Sequence, residues 1–302
     1  MFWFNGEFKK ENTISLEITE PGLIYGATLF TTLRVYQQSL DHPLTQWKSH
    51  CQRLESSLKA FDWNLPDWQQ LYQEAAFLAN HYPVLRLVIF PDGKEWITGR
   101  FLPPDLAQSQ QKGIKGWVAV KEVKSQKLEV RSDFSKNNLR VDSKTVEPIK
   151  WDFSDNYFDN YLFKRSLANH KTGNYLGAFL ALQRAKQLGF REAILVDNKG
   201  NWLETSTGNL WGYKKGIWYT PNVGEDILAG IGREQILSWL NYQQIPVKQS
   251  IWNPELIETL EVIAYSNSVV EIIPFSAIKI GDKQLKFNPL NPNLKQLKDY
   301  YN

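Results

Sequence analysis

The chain has 302 residues, 35 Lys and Arg against 32 Asp and Glu, a formal net charge of +3, 42% hydrophobic and 22% charged residues. These values describe a folded globular protein with a large core, and they exclude a disordered chain and a basic nucleic-acid-binding protein. A single cysteine, Cys51, excludes a disulfide framework, and the four scattered histidines (His42, His50, His81, His170) lack ligand spacing, so no metal is expected.

In chain order, "FWFNGEF" alternates around Asn5-Gly6 and predicts a hairpin. "LFTTLRVY" is rich in β-branched and aromatic residues and reads as a strand. Leu44, Cys51, Leu54, Leu58 and Phe61 recur at helical spacing, so the segment ending at Phe61 reads as an amphipathic helix. "WQQLYQEAAFLAN" predicts a second helix and "PVLRLVIF" a second strand. "PPDLAQSQQKG" reads as a linker, placing a small α/β domain at 1–112 and a larger domain at 113–302. Lys121–Asn160 is highly charged and is expected to form connecting hairpins or mobile loops. "YLGAFLALQRAKQLG" predicts a helix with Leu176, Phe179, Leu182 and Ala185 on its apolar face. "EAILVD", "WLETST", "LWGYK" and "GIWYT" follow with turns too short for parallel crossovers, hence an antiparallel meander curled toward a barrel. "LAGIG" opens the helix "REQILSWLNYQQI", and "VIAYSNSVVEIIPFSAIKI" returns to strand. The class is α+β. No run reaches membrane-spanning length and "MFWFNGEFKK" lacks signal-peptide order, so the cytoplasm is the expected compartment.

Four constellations are candidates for chemistry. The glycine loop at Leu228–Gly232 before a helix offers backbone N–H groups and a helix dipole to an anion. Ser266, Asn267 and Ser268 place hydroxyls and an amide at a strand break, where they serve equally as turn formers. His50, Arg53 and Ser57 share a helix stripe, from which an arginine suits bidentate phosphate contact. Each of these alone is also consistent with ordinary structure or a solvated flank. Lys171 and Glu204 supply an amine able to bond a carbonyl cofactor and a carboxylate able to pair with a pyridine nitrogen. A lysine, a carboxylate, a helix arginine, a glycine-loop helix start and a hydroxyl turn together make the parts of a pyridoxal-phosphate site.

In this order the parts resemble the fold-type IV pyridoxal-phosphate enzymes: branched-chain and D-amino-acid aminotransferases and 4-amino-4-deoxychorismate lyase. "EAILVDNKGNWLETSTGNLW", "GIWYTP" and "LAGIGREQIL" carry the resemblance, with "YGATLFTTLRVY", "HCQRL" and "SNSVVEIIP". It covers most of the chain outside Lys121–Asn160. It implies a small α/β domain beside a larger domain with an antiparallel barrel-like sheet, pyridoxal 5'-phosphate between them, and a homodimer acting on a small-molecule substrate. By matching position, Lys171 would bind the cofactor covalently and move protons, and Glu204 would pair with the pyridine nitrogen. Arg53, the backbone of Ile231 and Gly232, and Ser268 would hold the phosphate, and Asn209 would lie near the cofactor. Lys164, a rival for the covalent role, lacks the K-x-x-N context in which Lys171 stands. "GIGR" departs from the "GITR" common in the family's aminotransferases, so Gly232 offers an N–H but no hydroxyl.

"FTTLRV", "SNS" and the Lys171–Glu204 spacing resemble the lyase, which forms pyruvate and 4-aminobenzoate for folate synthesis. Tyr175 resembles aminotransferases, where a tyrosine bonds the cofactor's phenolic oxygen. The expectation is the lyase, with a branched-chain or D-amino-acid aminotransferase as the alternative. A third reading is a relative without catalysis, against which Lys171, Glu204 and Arg53 together argue. Arg86 and Arg34 are each either a candidate to receive a substrate carboxylate or a strand-edge charge, and Tyr25, Thr31 and Thr32 are expected to line the pocket by position.

Overall fold

The computed structural model describes residues 1–11, 13–119 and 165–302. The expectations for Lys121–Asn160 and the rival Lys164 lie outside these residues.

The chain opens with β1 (Phe2–Phe4) and β2 (Glu7–Lys9). Asn5 (φ 46°) and Gly6 (φ 95°) form the turn between them, the left-handed pair that matches strand twist in a two-residue hairpin. A short α1 (Pro21–Ile24) leads into β3 (Leu29–Arg34). Helix α2 (Trp47–Ala60) starts three residues after Leu44, which lies outside it, and α3 (Trp68–Ala79) is capped by the Asp67 carboxylate. Strands β4 (Val84–Ile89) and β5 (Glu95–Arg100) complete an antiparallel sheet in the order β2-β1-β5-β4-β3. β5 is not among the expected elements. Strand alternation sends Leu29, Thr31 and Leu33 of β3 toward the helices, where Leu54, Leu58, Leu71 and Leu78 complete a dry core. It sends Phe30 and Thr32 to the other face.

The expected linker is partly a helix, α4 (Leu106–Lys112), ended by Gly113 at φ 69°. Its polar composition hides its purpose: Leu106 and Ser109 are buried, while Gln110 Nε2 donates to Val270 O and to Glu271 Oε2, each at 3.0 Å. β6 (Ile114–Val118) follows, and beyond the undescribed stretch α5 (Leu176–Gln187). The apolar face expected on α5 holds at Ala185 and is corrected at Leu176 and Phe179. Ala178, Ala181 and Ala185 are the buried stripe, packed with Ala193 and Leu195, whereas Leu176 and Phe179 are 62% and 52% exposed. Small side chains let the helix lie close on the sheet, so they take the inner face.

The next strands are β7 (Glu192–Val196), β8 (Trp202–Thr205), β9 (Asn209–Lys214) and β10 (Ile217–Pro221). Helix α6 (Ile231–Tyr242), β11 (Val247–Ser250) and the short α7 (Pro254–Ile257) follow. The chain ends through β12 (Val262–Asn267), β13 (Glu271–Ile280), β14 (Lys283–Lys286), α8 (Leu294–Lys298) and a 3₁₀ turn over Asp299–Tyr301. Among the described residues the second sheet has nine strands, ordered β11-β10-β9-β12-β13-β6-β7-β8 with β14 on β13. Its pairs β7–β8, β9–β10, β9–β12, β12–β13 and β13–β14 are antiparallel. The pairs β6–β13, β6–β7 and β10–β11 are parallel. The meander therefore breaks between β8 and β9, where Thr205 Oγ1 accepts from Gly208 N at 2.9 Å and turns the chain aside. The sheet curls until its ends meet, with Trp202 N donating to Trp252 O at 2.9 Å. The architecture is the expected α+β arrangement of a small antiparallel sheet and a curled barrel-like one. No helix among the described residues is long and apolar enough to cross a membrane.

Candidate active site

β3 is the edge strand of the first sheet, and its free edge organises the site. At one end Phe30 N donates to Lys171 O (2.9 Å) and Gly173 N to Thr28 O (2.7 Å). At the other, Arg34 N donates to Ser268 O at 3.0 Å. Thr32 lies between these attachments, and its N–H points the same way by strand alternation. A cavity of about 670 Å³ opens there, between the two sheets. Lys171, Arg53, Tyr175, Glu204, Asn209, Ile231, Gly232, Ser268, Thr32 and Arg86 all line it. Tyr25 and Arg34 do not. Tyr25 is 74% exposed on the outer surface. Arg34 is spent on Glu271, Nη1 to Oε1 at 2.6 Å, and its guanidinium stands over the Tyr36 ring. Thr31 is also absent from the lining, because its odd position in β3 turns it into the helix-side core.

Lys171 sits in a loop fastened to both neighbours. Its carbonyl is held by β3, and the adjacent His170 Nδ1 lies 2.9 Å from Ser57 Oγ of α2, its ring tilted against Phe61. The Lys171 amine stands 4.9 Å from the Phe30 ring centroid and 5.5 Å from that of Tyr175. Burial holds its pKa well below that of an ordinary lysine, and the nearby Arg53 and Arg165 push the same way. A lowered pKa raises the neutral, nucleophilic fraction of the amine and suits it to carry a proton.

Glu204 projects from β8 and is buried. Arg165 meets it, Nη2 to Oε1 at 2.7 Å, and also donates to Ala168 O. Leu228 N approaches the other carboxylate oxygen at 3.3 Å. Burial raises the carboxyl pKa, and the Arg165 charge and hydrogen bond oppose that rise. The Arg165 guanidinium also lies 5.2 Å from the Tyr175 ring, whose hydroxyl is pushed up to about 12, mainly by burial.

The opposite end of the cavity is built for an anion. Helix α6 begins there, its N-cap position filled by Gly230, so no side chain satisfies the first-turn N–H groups of Ile231 and Gly232. Asn209 sets this loop: its Nδ2 donates to Leu228 O at 2.9 Å, and a Cβ on Gly230 would fall 2.0 Å from its Oδ1. Asn267 folds the hydroxyl turn, its Oδ1 accepting from Val269 N and Val270 N. Arg53 completes the end from α2. Its Nε is sealed from solvent without a partner, and no carboxylate pairs with it among the described residues. Burial lowers its pKa to about 10.

An unneutralised guanidinium with an orphaned N–H, an open helix N-terminus, an amine whose pKa burial lowers and a buried carboxylate fit a phosphorylated aldehyde cofactor with a ring nitrogen. Pyridoxal 5'-phosphate has these groups. Arg53, the α6 N-terminus and Ser268 suit its phosphate, Lys171 its aldehyde and Glu204 its ring nitrogen.

Three features escaped sequence reasoning. Arg165 gave no signal, since its pairing with Glu204 spans 39 residues. Arg100 joins Arg86 on the cavity wall only through the β4–β5 register. Glu192 is buried and accepts from Ser206 Oγ, Thr207 Oγ1 and Ala193 N, fixing Thr207 against the cavity.

Residues 156–278 match the family model described as Amino-transferase class IV. The chain is 22% identical over 283 residues to the branched-chain-amino-acid aminotransferase of Escherichia coli K12, covering 91% of this chain and 84% of that one. Its fold matches a hypothetical aminotransferase from Mycobacterium tuberculosis in a PLP-bound form at TM-score 0.73 and 16% identity, over 99% and 97% of the two chains. It also matches a protein provisionally named 4-amino-4-deoxychorismate lyase at TM-score 0.66 and 21% identity, over 97% and 98%. The family match spans Lys171, Glu204 and the Gly230 loop, and with the cavity they form it makes the chain a pyridoxal-phosphate-dependent enzyme on the class IV aminotransferase fold.

Proposed function

We propose that the enzyme is a 4-amino-4-deoxychorismate lyase, releasing pyruvate and 4-aminobenzoate, a folate precursor. One observation carries the choice. Arg86 and Arg100 stand on adjacent strands, line the cavity, and have no carboxylate partner among the described residues. Their mutual repulsion is offset when anions neutralise both, and this substrate carries two carboxylates. The Arg86 guanidinium lies 3.9 Å from the Phe30 ring centroid, on the cavity face of β3. Thr32, from "FTTLRV", adds a hydroxyl beside it.

In this reading Arg53, the first-turn N–H groups of α6 and Ser268 would hold the cofactor phosphate. Glu204, whose charged form Arg165 favours against burial, would pair with the ring nitrogen. When bound, the cofactor supplies the electron sink that makes the substrate's amine-bearing carbon acidic. Lys171 takes that proton. The ring carbon–oxygen bond breaks, the carbocycle becomes aromatic, and the departing enolpyruvate takes up a proton to become pyruvate. The atoms balance without water or an oxidant.

The second reading is an aminotransferase for branched-chain or D-amino acids. Tyr175 beside Lys171 favours it, as does the likeness to a branched-chain-amino-acid aminotransferase over most of the chain. There Lys171 would redeliver the proton it removed, and a branched-chain or D-amino acid, with one carboxylate, would occupy only one of Arg86 and Arg100. Purified enzyme given 4-amino-4-deoxychorismate decides: stoichiometric pyruvate and 4-aminobenzoate support the lyase. Oxo-acid formation from amino acids without 4-aminobenzoate overturns it in favour of the transaminase.

We also propose a division into domains at residues 112/113, where the chain passes from the first sheet to the second. The functional unit is proposed to be a homodimer. Leu23, Ile24 and Tyr25 are exposed, as are Leu176 and Phe179 at the cavity, and a second copy would cover such apolar surface.

A further inference from the structure

Arg53 is held at the cavity end without a carboxylate partner among the described residues. A buried guanidinium is usually fixed by a carboxylate, whose fork matches its donors. Here its protein hydrogen bond among the described residues goes to a hydroxyl: Nη2 donates to Thr31 Oγ1 at 2.9 Å. Thr31 is fully buried in β3 and turned away from the cavity. The same Oγ1 lies 2.5 Å from Nδ1 of His50, one helical turn before Arg53 on α2 and also buried.

The chemistry of these groups sets the direction of each bond. Arginine only donates, so Thr31 accepts from it. The hydroxyl's single proton then goes to His50 Nδ1, which places the imidazole proton on Nε2. That nitrogen is sealed from solvent and has no partner. The hub is therefore a neutral acceptor for Arg53. A carboxylate in its place would neutralise the guanidinium and compete with an anionic ligand, whereas a hydroxyl orients it and leaves its charge undiminished.

We propose that Thr31 and His50 are positioning residues that aim Arg53 at the cofactor phosphate and so set the enzyme's preference for the phosphorylated form of its cofactor. This rests on the pyridoxal-phosphate reading of the cavity. It assigns to the first "T" of "FTT" a role in cofactor affinity and none in substrate contact.

The test compares cofactor-free protein titrated with pyridoxal phosphate and with pyridoxal, each followed by absorbance and by borohydride fixation on Lys171. Thr31→Val keeps the side-chain shape and removes the hub. It is expected to weaken pyridoxal phosphate binding on the order of tenfold to a hundredfold while pyridoxal binding stays within about twofold. Inorganic phosphate, which should raise the melting temperature of wild-type apoprotein, should raise that of Thr31→Val less. Thr31→Ser should restore both. Equal binding of pyridoxal phosphate by wild type and Thr31→Val, or parallel loss of both compounds, overturns the proposal. Should Thr31→Val fail to fold, His50→Asn must produce the same split between the two compounds, and its absence overturns the proposal equally. Wild-type protein that takes up neither compound overturns the cofactor reading and this proposal with it; uptake without the split overturns this proposal alone.

Discussion

Arg165 and Glu204 form a buried ion pair 2.7 Å long on the cavity wall, in the field of the Lys171 amine. Arg165 favours the charged form of a carboxylate that lines the cavity, against the burial that disfavours it. Losing Arg165 strands a buried carboxylate, which costs about 3–5 kcal/mol. Arg165→Ala should therefore destabilise the apoprotein by about that amount. With its counter-charge gone, Glu204 has a folded-state pKa raised still further above its unfolded value. A group raised in this way loses its stabilising contribution as pH climbs through the folded value. The stability deficit of Arg165→Ala measured by urea unfolding should be larger at pH 8 than at pH 5.

Lys171 is maintained against the stability of the fold. Its folded pKa is depressed, so below the ordinary lysine value the unfolded chain binds more protons and stability rises with pH. Lys171→Met removes the buried amine and keeps its volume. The apoprotein of this variant should melt at least about 2 °C above wild type at pH 7, with the gap closing toward pH 10. It should be colourless with pyridoxal phosphate and inert to borohydride. A variant no more stable than wild type at pH 7 would contradict the depressed pKa.

Gly232 has room for a side chain. A Cβ there would meet nothing nearer than 3.5 Å, the nearest atoms belonging to Asn267 and Tyr301. Gly232→Thr should fold with unchanged or slightly raised stability, since glycine in a helix costs roughly 0.5–1 kcal/mol. Its hydroxyl should tighten pyridoxal phosphate binding several-fold, read by equilibrium dialysis of the apoprotein. Pyridoxal, lacking the phosphate, should bind as before.

Arg86 and Arg100 should act on substrate and leave the cofactor alone. Replacing either with Gln removes a charge-assisted hydrogen bond worth about 1.5–3 kcal/mol. The expected result is a fall in kcat/KM of roughly tenfold to a hundredfold, carried by KM, with unchanged affinity for pyridoxal phosphate. A variant whose KM is unchanged removes its arginine from the carboxylate site.

What the sequence announced and what it concealed separate by range. Asn5-Gly6, the α2 stripe and the glycine loop before α6 are local signals, and each appears where its chemistry predicts. Lys171, Glu204 and Arg53 converge because a motif order spread over most of the chain was readable. Arg34 looked like a substrate arginine, and only the fold brings Glu271 from 237 residues away to neutralise it. Arg100 needs the β4–β5 register, and Thr31 needs the parity of β3, which turns adjacent threonines to opposite faces. The apolar face of α5 was misjudged because size, more than hydrophobicity, decides which residues can approach a sheet closely. The α4 helix hides because it buries little and spends its glutamine on the turn before β13.

The seam between Trp202 and Trp252 gives the second sheet an unusual mechanical character. Every other junction around it is a ladder of several residues, but this one is a lone bridge with the two indoles 6.4 Å apart. A closed cylinder should part first where it is joined most thinly. Glu204 lies two residues from that seam on the same strand. Transient parting there would loosen the Glu204 carboxylate while leaving Arg53 and the α6 N-terminus in place, so the two ends of the cavity would differ in stiffness.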